Sequence, residues 1–321
     1  MSPLLVDCLF LLAGFILLTK GAGWLVDGGV ALARLLGVPP MITGLTIVAL
    51  GTSLPEVFVA SLATNSGEHG MALGTVLGSN IANIGLVLGV TGLILPRLFN
   101  QVLSIRETSW LLGSLALLYF LSGGGDLGAI EGLVLLVGFV LYQVLVLRDP
   151  AEEGEIALEE VATHGSRHPW LMVVGGSIAI ALGALAVMDG GVGLAEAIGV
   201  PSAVIGFTVL AVGTSLPELA AGIASALKGQ AGLGLGNVVG SNVFNTLMVL
   251  GIAFGVGPLE SDSSGTLERT MATDLPMTAL FSIGLIGFLH LSRGRWLRCK
   301  AALMLLAYFA WSASMFLGVG S

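Results

Sequence analysis

Gly51-Thr52-Ser53-Leu54-Pro55-Glu56 recurs unchanged as Gly213-Thr214-Ser215-Leu216-Pro217-Glu218, and each copy sets an acid inside a long, nearly uncharged apolar stretch. A carboxylate in hydrocarbon calls for a partner, a water-filled cavity or a transported ion, so two at equivalent positions point to one composite cation site. The composition agrees with a membrane setting. Hydrophobic residues make up 55% of the 321 and charged residues only 10%, and the mean hydropathy of +0.99 lies outside the range of a soluble globular domain. The 48 glycines and 11 prolines then read as tight helix packing and broken helices rather than disorder.

The net charge of -8 does not indicate a basic partner, because Glu152, Glu153, Glu155, Glu159 and Glu160 all fall in one connection. No nucleic-acid partner is expected, and no obligatory protein partner is evident. Cys8 and Cys299 lie in different hydrophobic segments without CxxC or Cys/His spacing, so neither a disulfide framework nor a zinc site is indicated. No cofactor is implied. The N-terminus lacks the basic region of a cleavable signal and carries Asp7, so the first span is expected to be retained.

Windows of roughly 20 apolar residues, enough to cross ~30 Å of hydrocarbon, fall near 4–26, 40–64, 71–95, 108–122, 128–147, 170–189, 202–227, 233–257, 272–291 and 298–318. The expected fold is therefore an all-α membrane protein of ten transmembrane helices. With the N-terminus outside, Arg34, Arg97, Arg106, Arg148, Arg167, Lys228, Arg293, Arg295, Arg298 and Lys300 fall on inner connections or inner helix ends, Lys20 lies near the inner end of span one, and Arg269 alone falls outside. The positive-inside rule thus gives both termini outside and residues 148–169 in the cytoplasm.

The duplication extends well beyond the hexapeptide. Shifted by 162, residues 42–96 match 204–258 without a gap, about 22 of 55 positions being identical. Asp27-Gly28-Gly29-Val30 pairs with Asp189-Gly190-Gly191-Val192, and Gly37-Val38-Pro39 with Gly199-Val200-Pro201. Five spans separate equivalent helices, and an odd number means opposite directions through the membrane. The chain divides into a first five-helix repeat, 1–147, a cytoplasmic acidic linker, 148–169, and a second inverted repeat, 170–321. The linker acids lack the ligand spacing and central glycine of an EF-hand loop. Asp27 and Asp189 are expected at helix ends, as caps or in local hydrogen bonds.

On a helix, Thr52 lies i,i+4 and Ser53 i,i+3 from Glu56, so a carboxylate and two hydroxyls share one stripe. The same holds for Thr214, Ser215 and Glu218. Pro55 and Pro217 donate no N–H, which frees the carbonyls of Gly51 and Gly213 and is expected to disturb the backbone around Ala49 and Ala211. Carboxylate, hydroxyl and carbonyl oxygens together suit hard cations such as Ca2+ and Na+. A second tract follows in each half, Gly78-Ser79-Asn80-Ile81-Ala82-Asn83 and Gly240-Ser241-Asn242-Val243-Phe244-Asn245. Ser79 with Asn83, and Ser241 with Asn245, again share a face. Such residues often act as helix glue, but recurrence of both tracts in both halves favours a shared site.

The paired GTSLPE and GSN-(I/V)-x-N motifs resemble the alpha repeats of the cation/calcium exchanger superfamily, most closely its prokaryotic sodium/calcium antiporters. The resemblance covers both repeats and the ten-span layout. It implies that Glu56, Glu218, Thr52, Thr214, Ser53, Ser215, Ser79 and Ser241 bind Ca2+ and Na+ at overlapping sites. By the same resemblance Ala49 and Ala211 contribute backbone oxygens, and Asn83 and Asn245 occupy the centre. Some members carry Asp where this chain has Asn245, so here the site holds two carboxylates.

The expectation is an inner-membrane antiporter that couples Na+ entry to Ca2+ extrusion by alternating access. Spans two, three, seven and eight would form the core. In the resembling family the first and sixth spans slide over that core, and the stretches Gly21 to Gly29 and Gly183 to Gly193 would permit close gliding contact. The alternatives are an H+/Ca2+ or K+-dependent exchanger of the same superfamily and, from another class, an intramembrane hydrolase using Ser53 or Ser215. The hydrolase fares badly, since no His or Lys lies at triad-like spacing in the spans.

Overall fold

The computed structural model describes residues 3–67, 69–123, 127–148, 168–198, 213–257, 266–290 and 296–318. Ala211 and linker residues 149–167 lie outside them. The described residues form eleven helices: α1 Pro3–Leu36, α2 Pro40–Thr52, α3 Leu54–Asn65, α4 Met71–Ile94, α5 Ile105–Ser122, α6 Ala129–Arg148, α7 Pro169–Ala197, α8 Leu216–Leu227, α9 Ala231–Val256, α10 Thr266–His290 and α11 Leu297–Gly318. The protein is an all-helical membrane protein. Six of the helices are long and apolar enough to cross a bilayer, seven if the bent pair α2–α3 counts as one span. Outward-facing Phe15, Phe58, Leu62, Phe120, Ile130 and Leu171 are exposed, as lipid-facing side chains are.

Local sequence explains where the helices begin and break. Ser104 opens α5 with a reciprocal cap, its Oγ accepting from Glu107 N at 3.3 Å while Glu107 Oε2 accepts from Ser104 N at 2.5 Å. Pro55 and Pro217 sit in the first turns of α3 and α8, where a missing N–H costs nothing. The preceding residues, Ser53 (φ -86°, ψ 5°) and Ser215 (φ -87°, ψ 0°), leave the helical region at equivalent points. Between α2 and α3 the axis bends by 46°. The break therefore falls at Ser53, beside the proline, and not at Ala49, which keeps helical angles and whose carbonyl accepts from Ser53 N at 3.0 Å.

Three single π turns interrupt α2, α4 and α9, at Gly44–Val48, Asn83–Val87 and Asn245–Val249. The last two begin on the paired asparagines. π turns loosen the backbone hydrogen-bond ladder and concentrate at functional sites. Tyr142 of α6 steadies the turn in α2, its hydroxyl donating to Leu45 O at 3.0 Å.

The core is α9 crossed by α4, with 89% and 72% of their apolar windows buried against 17% for α1. Around it, Phe139 and Tyr142 meet Phe244 edge to face, with ring centroids 4.8 and 6.2 Å apart. Glycine lets α2 lie on α9. A Cβ on Gly240 would stand 2.5 Å from Leu45 O, and one on Gly44 2.9 Å from Asn237 N.

Helices α1 and α7 form a separate antiparallel pair. Gly14 faces Gly183, Gly21 faces Gly176, and Gly28 faces Pro169, while Gly190 faces Asp7. These glycines recur every seven residues and match across the 162-residue shift. A Cβ at any of them would come within 3.0 Å of the opposite backbone. The expected gliding surface is thus corrected in part: Gly21, Gly28, Gly183 and Gly190 bind the two long helices to each other, while Gly29 meets Val48 and Leu233 of the core. Asp27 and Asp189 are also corrected, since α1 continues to Leu36 and α7 to Ala197, which leaves both inside helices. Asp27 pairs instead with Lys228 Nζ at 2.6 Å.

Candidate ion site

The two breaks and the two paired-asparagine helices meet in the middle of the core. Thr52, Ser53, Glu56, Asn83, Ser215, Glu218, Ser241 and Asn245 are wholly buried or nearly so, as are Ser79, Thr214 and Ala49. Every sequence-derived site residue within the described residues is therefore inside the protein; Ala211 falls outside them.

Contacts join the halves in mirrored fashion. Thr52 Oγ1 lies 3.3 Å from Ser241 Oγ, and its counterpart Thr214 Oγ1 lies 3.1 Å from Ser79 Oγ. Ser53 Oγ donates to Glu218 Oε1 at 3.3 Å. Below them Asn83 Nδ2 donates to Asn242 Oδ1 at 3.1 Å, Asn242 Nδ2 to Asn80 O at 3.2 Å, and Asn80 Nδ2 to Thr246 Oγ1 at 3.0 Å. Ala49 O is already engaged by Ser53 N and, at 3.3 Å, by Thr52 Oγ1.

What these residues leave unpaired is as informative. Both oxygens of Glu56, Glu218 Oε2, Asn80 Oδ1, Asn83 Oδ1, Asn245 Oδ1 and Ser215 Oγ are buried without a hydrogen-bond donor from the protein. Each such oxygen costs about 1–3 kcal/mol, more when charged, so seven together rival the ~5–15 kcal/mol that holds a domain folded. A donor set of carboxylate, amide and hydroxyl oxygens is suited to a hard cation, which takes six to eight oxygens when it is Ca2+. Among the described residues no group of three or more His, Cys, Asp or Glu gathers to form a softer metal site.

Asn237 and Thr246 were not singled out from the sequence. Asn237 Oδ1 lies 3.2 Å from Thr52 Oγ1. Their first-half counterparts are Thr75 and Ile84, so the duplication that exposed the other residues is silent here. The available signal was Asn237 standing i,i+4 from Ser241 on one helix face.

Broken helices that meet around paired carboxylates at the crossing of two equivalent segments define a membrane carrier. The family model described as Sodium/calcium exchanger protein matches residues 7–148 and 168–317. CaxA of Alkalimonas amylolytica, which carries a provisional antiporter name, is 36% identical over 98% of this chain and 99% of its own length. The inner membrane protein YrbG of Escherichia coli is 34% identical over 81% of this chain and 82% of its own. Among solved structures, the sodium-calcium exchanger NCX_Mj soaked with Na+ and Sr2+ superposes with a TM-score of 0.79 at 30% identity, covering 97% of this chain and 99% of that one. The chain belongs to the sodium/calcium exchanger family. It is a multi-pass membrane antiporter of the cation/calcium class, a transporter and not an enzyme.

Proposed function

We propose that this protein exchanges Na+ for Ca2+ by alternating access and works to extrude Ca2+. The observation that carries the reading is the cluster of buried oxygens without protein donors around Glu56 and Glu218. One Ca2+ balances the two carboxylates, and so do two Na+, which lets either load discharge the same site. Thr52, Ser53, Ser79, Asn83, Thr214, Ser215, Ser241 and Asn245 complete the ligand set, with Ala49 and Ala211 supplying backbone oxygen.

The chain is read as ten spans in two inverted repeats. α1, the bent pair α2–α3, α4, α5 and α6 make the first repeat, 1–147, α6 ending one residue past that boundary at Arg148. In the second, 170–321, α8 closes the expected span at 202–227, of which 202–212 lie outside the described residues, and joins α7, α9, α10 and α11; 148–169 is the cytoplasmic linker. The antiparallel course of α1 and α7 and the mirrored Thr–Ser contacts support the inversion. A named inner-membrane relative and the one-sided Lys and Arg support an inner-membrane location with both termini outside. Equilibrium 45Ca2+ binding to the purified protein tests the site: the account requires saturable binding that Na+ displaces, and Ca2+ binding indifferent to Na+ would refute a shared site.

A further inference from the structure

Thr52 and Thr214 hold equivalent places, and each meets the serine of the opposite half. Thr52 has a further partner, Asn237 Oδ1 at 3.2 Å, whereas among the described residues no bond joins Thr214 to Thr75, the half-buried counterpart of Asn237. Asn237 is completely buried, its Nδ2 has no hydrogen-bond acceptor, and its backbone is fixed by the close approach of α9 to Gly44. A threonine hydroxyl has one proton and two lone pairs, and an amide oxygen only accepts. Two acceptors compete for the Thr52 proton, Asn237 Oδ1 at 3.2 Å and Ala49 O at 3.3 Å; held by Asn237, the proton is not shared with the carboxylates and a lone pair stays available to a cation. A cation binds that lone pair and is repelled by the proton.

We propose that Asn237 is a positioning residue of the ion site, which takes the Thr52 proton and holds that hydroxyl as an oxygen ligand, making the two halves of the site unequal. The inference rests on the proposed Ca2+ site and deepens it. A buried hydrogen bond of this kind shifts an equilibrium by about two- to tenfold. Asn237→Leu keeps the branched shape and the number of side-chain heavy atoms and removes the acceptor; Asn237→Thr installs the residue that the first repeat carries.

The test measures Ca2+ affinity by 45Ca2+ binding and the maximal Na+-driven rate in proteoliposomes, for both variants alone and combined with Thr52→Val. Both variants should weaken Ca2+ about two- to tenfold while the maximal rate holds, and should have no further effect in the Thr52→Val background. Wild-type affinity in both, full additivity with Thr52→Val, or failure of both to fold would overturn the positioning role. If Thr52→Val weakens Ca2+ and the Asn237 variants do not, this inference alone fails; if the wild-type protein binds no Ca2+, the site reading fails with it.

Discussion

Glu56 and Glu218 are equal in sequence and unequal in structure, since Ser53 donates to Glu218 while neither oxygen of Glu56 has a donor from the protein. In the proposed site each is one of two charges opposing a divalent ion, and charge-assisted contacts of this kind are worth about 1.5–3 kcal/mol. Glu56→Gln and Glu218→Gln should each weaken Ca2+ binding at least about tenfold while the melting temperature in detergent stays near wild type; unchanged Ca2+ uptake by both would refute their role. In the proposed site Asn245 supplies an uncharged oxygen at the centre, so Asn245→Asp adds a buried group whose charge follows pH. Transport measured across a pH series should then become steeper near neutrality than in wild type. A superimposable profile would show that this side chain does not face the ions. These residues were legible because the chain states them twice, at a fixed shift and helical spacing. Asn237 and Tyr142 occur once and act through contacts between distant segments, which no local pattern records.

Proline and duplication made the elements broadly legible, but their ends and pairings depend on packing. Pro55 announced a broken span, yet the break settles at Ser53, because proline is unstrained in a first turn and the carbonyl of Ala49 keeps its bond. The π turns of α2, α4 and α9 left no mark in composition. Asp27 resembled a helix end because its apolar window stops there, whereas α1 runs on to Leu36 at the side of the core. The 34 residues of α1 reach about 51 Å, well beyond the hydrocarbon. Heptad glycines bind α1 to α7, so Gly183→Leu drives a side chain onto the α1 backbone and should cost at least about 1–3 kcal/mol. A thermal melt would show it, and a wild-type transition would contradict the pairing. The exposed Asp27–Lys228 pair is worth only about 0.2–1 kcal/mol. Lys228→Met should leave transport within about fivefold of wild type, and total loss would mean that the pair does more than hold α1 beside α8.

At the scale of the whole molecule, the proposed inverted halves would deliver their breaks to one buried place from opposite sides of the membrane, as alternating access around a fixed site requires. The inversion has its own test. After replacement of the exposed Cys8 and Cys299, an impermeant thiol reagent applied to intact cells should label Ser264→Cys and not Ile156→Cys, and the reverse pattern would overturn the orientation. The central claim is that Na+ and Ca2+ take turns on the two glutamates. The most direct measurement is 45Ca2+ uptake into proteoliposomes loaded with Na+ and diluted into Na+-free medium, with pH equal on both sides. The account predicts uptake that collapses when Na+ is equalised and is absent in Glu56→Gln; uptake indifferent to the Na+ gradient but driven by an imposed pH gradient would contradict it.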